Sequence, residues 1–90
     1  MTELDILNLF YDEMKAMGAT REQVFISIDA DAVAILTYKQ KSPIDLVKAH
    51  QLTDICIANE WLERTTADPY YNYLSLTEAG LQMVLANKYL

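Results

Sequence analysis

The chain has little of what breaks or cross-links a fold: two glycines, two prolines and a single cysteine among ninety residues. With so few helix and strand breakers, most of it can form regular structure, and disorder is excluded as its main state. The lone Cys56 cannot form an internal disulfide, which argues against a secreted scaffold. There is no signal-peptide pattern, and no apolar run approaches the roughly 20 residues that span a bilayer. We therefore expect a cytoplasmic protein with no membrane partner.

Motifs of catalysis and metal binding are also missing from the sequence. It contains no glycine-rich phosphate loop, no HExxH, no paired cysteines at metal-ligand spacing and no GxSxG. Cys56 and His50 are six residues apart, a spacing that does not place them side by side on a helix, so Cys56 is expected to be a small core residue. We predict no enzymatic activity, no metal site and no cofactor.

Basic residues are scarce, with seven against thirteen acidic residues and a net charge of −6. This excess argues against non-specific affinity for nucleic acid or anionic lipid. Residues 1–38 carry two basic and seven acidic residues (−5), and residues 53–90 carry two and five (−3). The window from 39 to 52 carries Lys39, Lys41 and Lys48 against Asp45 (+2). It is the only positive stretch of the chain.

Apolar residues are abundant, at 52%, which indicates a compact globular domain, and ninety residues are enough for one domain and too few for two, so a single domain covering residues 1–90 is predicted. Thr2 and Asp5 form a capping-box-like start and Gly18 a C-cap, so a first helix is predicted at about residues 3–17. The simplest interpretation places its apolar stripe in the core alone. The stripe is nevertheless wide enough to favour a homodimer as well. The residues of this dimerisation surface are Leu4, Leu7, Phe10 and Met14.

Two interpretations fit the next part of the chain. VFISI, at residues 24–28, favours a strand, and Asp29 can cap a helix from Ala30 to about Lys39. The alternative is one long helix from Thr20 to Lys41, because apolar residues there also recur at helical spacing and no glycine or proline intervenes. We prefer the strand followed by the helix.

A third helix is predicted from Pro43 to about Asn59, because Ser42 can cap its free amides and proline suits the first turn. After it, LERTTA and YYNYLSL flank the turn residues Asp68 and Pro69 and indicate a hairpin. Thr77 then caps a last helix that runs to about residue 88. The predicted inner side of the third helix consists of Ile44, Ala49, Leu52, Ile55 and Cys56, and that of the last helix consists of Leu81, Val84, Leu85 and Tyr89.

The order helix, strand, helix, helix, hairpin, helix resembles the winged helix-turn-helix superfamily, an α+β fold that is mainly α. The resemblance is most specific at WLER, residues 61–64, and at LTEAG, residues 76–80. Similar phrases flank the wing of many bacterial regulators of the MarR and PadR type. The resemblance implies a helix-turn-helix at about 30–59, a wing at about 62–76 and a C-terminal helix at about 77–88, with Trp61 and Leu76 in the core.

Two positions depart from that pattern. Glu60 stands where the family usually has a glycine that leaves the third helix in a left-handed conformation. The predicted wing tip, residues 65–70, contains Asp68 and no lysine or arginine. DNA-binding wings usually place a basic residue against the minor groove or a phosphate.

The resemblance implies a small transcriptional regulator that binds double-stranded DNA through the third helix and the turn before it. His50 could also approach the DNA. The expected contact residues are Lys39, Lys41, Ser42, Lys48 and Gln51, with Arg64 supporting from the wing. So few cations would give only modest, salt-sensitive affinity. The alternative is an acidic protein–protein interaction module that does not bind DNA, with a protein partner contacting Tyr70, Tyr71 and Tyr73.

Overall fold

The computed structural model describes residues 1–41, 43–67 and 71–88. Within these ranges the fold is α+β and mainly α, with a small antiparallel sheet. Every helix among them is too short or too polar to span a lipid bilayer. The elements are α1 (Glu3–Met17), a 3-10 turn (Arg21–Gln23), α2 (Ala30–Gln40), α3 (Leu46–Ala58), β1 (Leu62–Arg64), β2 (Leu74–Leu76) and α4 (Glu78–Lys88).

Helix α1 has the predicted bounds. Asp5 Oδ2 accepts a hydrogen bond from the amide of Thr2 at 2.7 Å, and Gly18 ends the helix in a left-handed conformation with φ 63°. Both capping predictions are therefore confirmed. The buried side chains of α1 are Ile6, Leu7, Leu9, Phe10 and Tyr11. Because α1 packs against α3, α4 and β2, it forms the centre of the core.

The alternative of one long helix between residues 20 and 41 is wrong. Ile26 is extended and exchanges two backbone hydrogen bonds with Leu74, at 3.0 and 2.9 Å. Helix α2 begins at Ala30, and Asp29 Oδ1 caps it by accepting from the amide of Ala32 at 3.1 Å. The preferred interpretation is confirmed for the helix, and the predicted strand is reduced to a single bridge.

Strand β2 lies between two neighbours. On one side it pairs with β1, with Leu76 opposite Leu62 and Leu74 opposite Arg64. Because Leu74 directs both its amide and its carbonyl toward Ile26, the 24–28 segment lies at the other edge. All three residues of β2 are buried.

Helix α3 begins at Leu46, three residues later than predicted, because Asp45 is the N-cap and accepts from the amide of Lys48 at 2.7 Å. Pro43 therefore precedes the helix, and Ser42, the predicted cap, lies outside the described residues. The assignment of Ile55 to the inner side is also wrong. Thr53 is buried in its place, and its hydroxyl donates to the carbonyl of Ala49 at 2.8 Å.

The junction between α3 and α4 is closely packed around the backbone carbonyl of Trp61. Glu60 leaves α3 in the left-handed conformation, with φ 61°, although it has a side chain. Thr77 caps α4 as predicted, because its Oγ1 accepts from the amide of Gly80 at 3.0 Å. Leu76 is fully buried, as expected, whereas Trp61 is half-buried and packs against the core from outside. On the predicted inner side of α4, Val84 is buried, Leu81 and Leu85 are half-buried, and Tyr89 lies outside the described residues.

Candidate functional site

The outward side of α3 is the surface that the winged-helix resemblance assigns to DNA, and it carries exposed apolar side chains. Val47 is 68% exposed and Ile55 is 41% exposed, and Leu46 is exposed beside them. The exposed polar residues between them are Lys48, Gln51 and Asp54. The surface is therefore mixed, with two groups able to donate to a base edge and three apolar side chains.

The predicted basic contacts separate into paired and unpaired residues. Lys39 Nζ lies 2.6 Å from Asp12 Oδ2, an ion pair that joins α2 to α1 and compensates the lysine charge. Lys41, Lys48 and Arg64 are exposed and form no ion pair within the described ranges. Lys41 ends α2 with φ 56°, Lys48 lies in the first turn of α3, and Arg64 ends β1.

His50 is not free to approach DNA as the sequence suggested. Its Nε2 donates to the carbonyl oxygen of Ile28 at 2.7 Å, and its ring stacks on Tyr71 with centroids 3.7 Å apart. The Tyr71 hydroxyl donates to Asp54 Oδ2 at 3.1 Å. Burial, followed by the hydrogen bond and the charge of Asp54, raises the pKa of Tyr71, and Arg64 opposes this effect. The three side chains form a joint between α3 and the loop before β2.

The tyrosines proposed as an interaction surface therefore differ from one another. Tyr71 is half-buried in the joint with His50. Tyr73 is exposed, and its backbone is held by Ser27 and Thr65: its amide donates to Ser27 Oγ at 3.1 Å, and its carbonyl accepts from the Thr65 hydroxyl. Tyr70 lies outside the described residues. Of the two tyrosines of this set that the structure describes, Tyr73 is the exposed one, at 59%.

The predicted dimerisation surface is largely used inside the chain. Leu7 and Phe10 are fully buried, because α1 is covered by α3, α4 and β2, so a second chain cannot contact them. Leu4 and Met14 are half-buried against the same core and keep some surface. The assignment of Leu7 and Phe10 to a dimerisation surface is therefore wrong, while self-association itself stays a prediction.

The exposure of several apolar residues was not predicted from the sequence. Ile55 was assigned to the core because an apolar residue is the usual choice for a buried helix position, and Thr53 occupies that place. Tyr38 at the end of α2 and Phe25 before Ile26 are also exposed. Tyr38 lies on α2, where helical phase relative to the buried Ala32 and Leu36 indicates exposure. Phe25 lies in the extended 24–28 segment next to the buried Val24, where alternation along the chain is the corresponding signal.

The described residues hold no group of histidine, cysteine, aspartate and glutamate that could bind a metal ion. Burial, and to a lesser extent the charge of Glu3, raises the pKa of Cys56 to about 12. Its Sγ faces the carbonyl oxygen of Glu3 at 3.7 Å. Because the thiolate is the reactive form, this buried thiol is inert near neutral pH.

No known protein family, curated protein or solved structure matches the chain. The surface of α3 and the charges around it therefore carry the functional argument.

Proposed function

We propose that this chain is a winged-helix protein-interaction module, and that the exposed side of α3 binds a protein partner. The order of its elements and the place of β2 between the 24–28 segment and β1 support the winged-helix assignment. The WLER and LTEAG phrases flank the hairpin in the positions that the resemblance requires.

The observation that carries the proposal is the apolar exposure of α3. Val47, Gln51 and Ile55 are spaced four residues apart and therefore lie along one side of the helix. Two of these three side chains are aliphatic and exposed. Base edges are recognised mainly by hydrogen-bond donors and acceptors, whereas aliphatic side chains at this spacing suit the apolar surface of another protein.

The electrostatics favour the same conclusion. Each phosphate contact contributes a salt slope of roughly −0.9, so three unpaired cations support only weak binding to DNA. A net charge of −6 also repels a polyanion over the whole surface.

DNA binding is the second candidate, as a small transcriptional regulator. The observation in its favour is that Lys41, Lys48 and Arg64 are unpaired, and that Gln51 is exposed next to Lys48 on α3. In a winged helix these residues would face the major groove and the adjoining phosphates.

A photoreactive amino acid at position 47, introduced into the full chain in the cells that produce it, tests the proposal. We expect a discrete protein adduct, and we expect Ile55→Glu to abolish it without changing the circular dichroism spectrum. The matched control places the same photoreactive residue at Gln82, which is exposed on α4. Equal adducts from both positions would contradict a specific surface on α3.

A titration with mixed duplex fragments at low salt separates the two candidates. The interaction-module proposal expects no binding. If the chain binds duplex DNA and the double variant Lys41→Ala/Lys48→Ala abolishes that binding, the DNA-binding proposal replaces it.

A further inference from the structure

A second apolar surface lies on the side of the molecule formed by α1, the 24–28 segment and α2. It is a groove of about 320 Å³, and Leu9, Ile26 and Ala32 lie along it. Phe25 and Ile35 flank the groove and are 52% and 47% exposed. Such large side chains usually lie in the core, so their joint exposure beside one groove makes this groove a candidate binding surface.

The groove also has a charge of one sign. Glu13, Asp29 and Asp31 line it, one from α1 and two from the start of α2, and none of the residues lining it is basic. Asp12, next to Glu13, is compensated by Lys39, but none of the three lining carboxylates forms an ion pair in the described part of the chain. Asp29 also caps α2. Two carboxylates, those of Glu13 and Asp31, are therefore free to pair with a ligand.

We propose that this groove binds a cationic amphipathic segment of a partner protein. One or two apolar side chains of that segment enter the groove, since its volume is at the lower end of the range for small-ligand pockets. Lysine or arginine residues beside them pair with Glu13 and Asp31. This inference rests on the proposed function in requiring a protein partner, but it does not use α3.

The charges argue for this occupant over others. Carboxylates along the groove repel phosphate, which disfavours nucleic acid and anionic lipid. A second copy of the chain carries −6 itself and has only one window with a net positive charge, so it complements the groove poorly. A cationic segment gains both attraction during approach and selectivity against acidic competitors.

The probe for the test is an amidated synthetic peptide with leucines at helical spacing and lysines elsewhere, titrated into the full chain. We expect amide NMR shifts concentrated at Phe25, Ile26 and Ile35. The variant Phe25→Ser should weaken binding about tenfold or more, because exposed aromatic anchors dominate small interfaces. The double variant Glu13→Gln/Asp31→Asn should weaken binding and flatten its salt dependence.

The matched control is Glu60→Gln/Glu63→Gln, which removes the same charge around β1, at the opposite edge of the sheet. It should leave the affinity within about twofold if location matters more than net charge. A scrambled peptide of identical composition should bind at least about tenfold more weakly. Equal affinity for the scrambled peptide, an equal effect of the control variant, or no binding would overturn the proposal.

The same titration separates this inference from the proposed function. Peptide-induced shifts centred on Val47 and Ile55 would overturn the groove while supporting α3 as a protein-binding helix. Shifts at the groove, together with no adduct from position 47, would support the groove and contradict the assignment to α3.

Discussion

The imidazole of His50 lies flat against the phenol ring of Tyr71, with centroids 3.7 Å apart and ring planes inclined by 14°. The same imidazole donates to the carbonyl of Ile28, and the phenol donates to Asp54. One pair of rings therefore connects α3, the 24–28 segment and the loop that leads into β2. This joint holds the hairpin against the helix.

Replacing His50 with alanine should lower the free energy of unfolding by about 1–2 kcal/mol, because it removes the stack and leaves the Ile28 carbonyl without this partner. Urea unfolding followed by circular dichroism measures the change. The control is Gln51→Ala, at an exposed neighbouring position, which should stay within about 0.5 kcal/mol of the parent chain. Equal losses for both variants would show that the joint contributes nothing.

Tyr71→Phe keeps the stack and removes the hydroxyl that donates to Asp54. The pKa of Tyr71 is raised from 10.0 in the folded state, so the folded chain holds this proton more tightly than the unfolded chain does. Stability from this group is fully present below the unfolded pKa and is lost as the pH rises through the folded pKa. We therefore expect the variant to lose less stability than the parent chain as the pH rises above the unfolded value of 10.0. Parallel stability curves for the two chains would contradict this.

Cys56 should resist alkylation in the folded chain. Because its pKa is raised from 9.0 to about 12, almost no thiolate is present at about pH 8, and the sulfur is fully buried. Iodoacetamide labelling followed by mass spectrometry should show modification only in urea. Stability from the protonated thiol is complete below the unfolded pKa and declines as the pH rises from about 9 toward 12. Rapid labelling without denaturant would disprove the burial of this thiol.

Gly80→Ala should destabilise the domain by about 3 kcal/mol or more, because a Cβ there would lie 2.1 Å from the carbonyl oxygen of Trp61 and 2.7 Å from Leu76 Cδ1. The comparison is Gly18→Ala, where nothing lies within 4 Å but φ is 63°. That variant should cost only about 1 kcal/mol, from backbone strain. Thermal unfolding of both variants tests the order. A smaller loss of stability for Gly80→Ala than for Gly18→Ala would mean that the junction between α3 and α4 can open to admit the added Cβ.

Glu60→Gly should stabilise the domain by about 0.5–1 kcal/mol, because Glu60 has φ 61° and glycine adopts this conformation without strain. Glu60→Ala is the control, since it removes the same carboxylate and keeps the Cβ. If alanine and glycine gave the same change, the effect would come from charge and not from the backbone. Chemical unfolding at one salt concentration gives both values.

Local signals in the sequence predicted the parts of the fold that depend on a few neighbouring residues. The caps of α1, α2 and α4 rest on hydrogen bonds over three residues, as at Thr77 and Gly80. At α3 two local signals compete. Ser42 and Pro43 suggest one start and Asp45 another, and the structure uses Asp45. A sequence pattern does not decide between two adequate caps.

It was harder to predict which side chains are exposed and unpaired at the surface, because tertiary contacts determine this. Lys39 was assigned to DNA, but its partner Asp12 is 27 residues away on another helix. His50 was assigned to the same surface and is used inside the chain. Thr53 displaced Ile55 from the core because its hydroxyl bonds to its own helix, which removes the cost of burying it. Each of these outcomes depends on packing that periodicity alone does not contain.

The position of β2 has a consequence for synthesis of the chain. Ile26 and Leu62 both lie beside this strand, yet the ribosome reaches Leu74 only after α1, α2 and α3 have been made. Until then the apolar faces of these three helices remain exposed, because the strand that covers them is missing, and chaperones or proteases can reach them. We therefore expect the domain to become resistant to degradation in one step, once β2 is available, rather than gradually during translation.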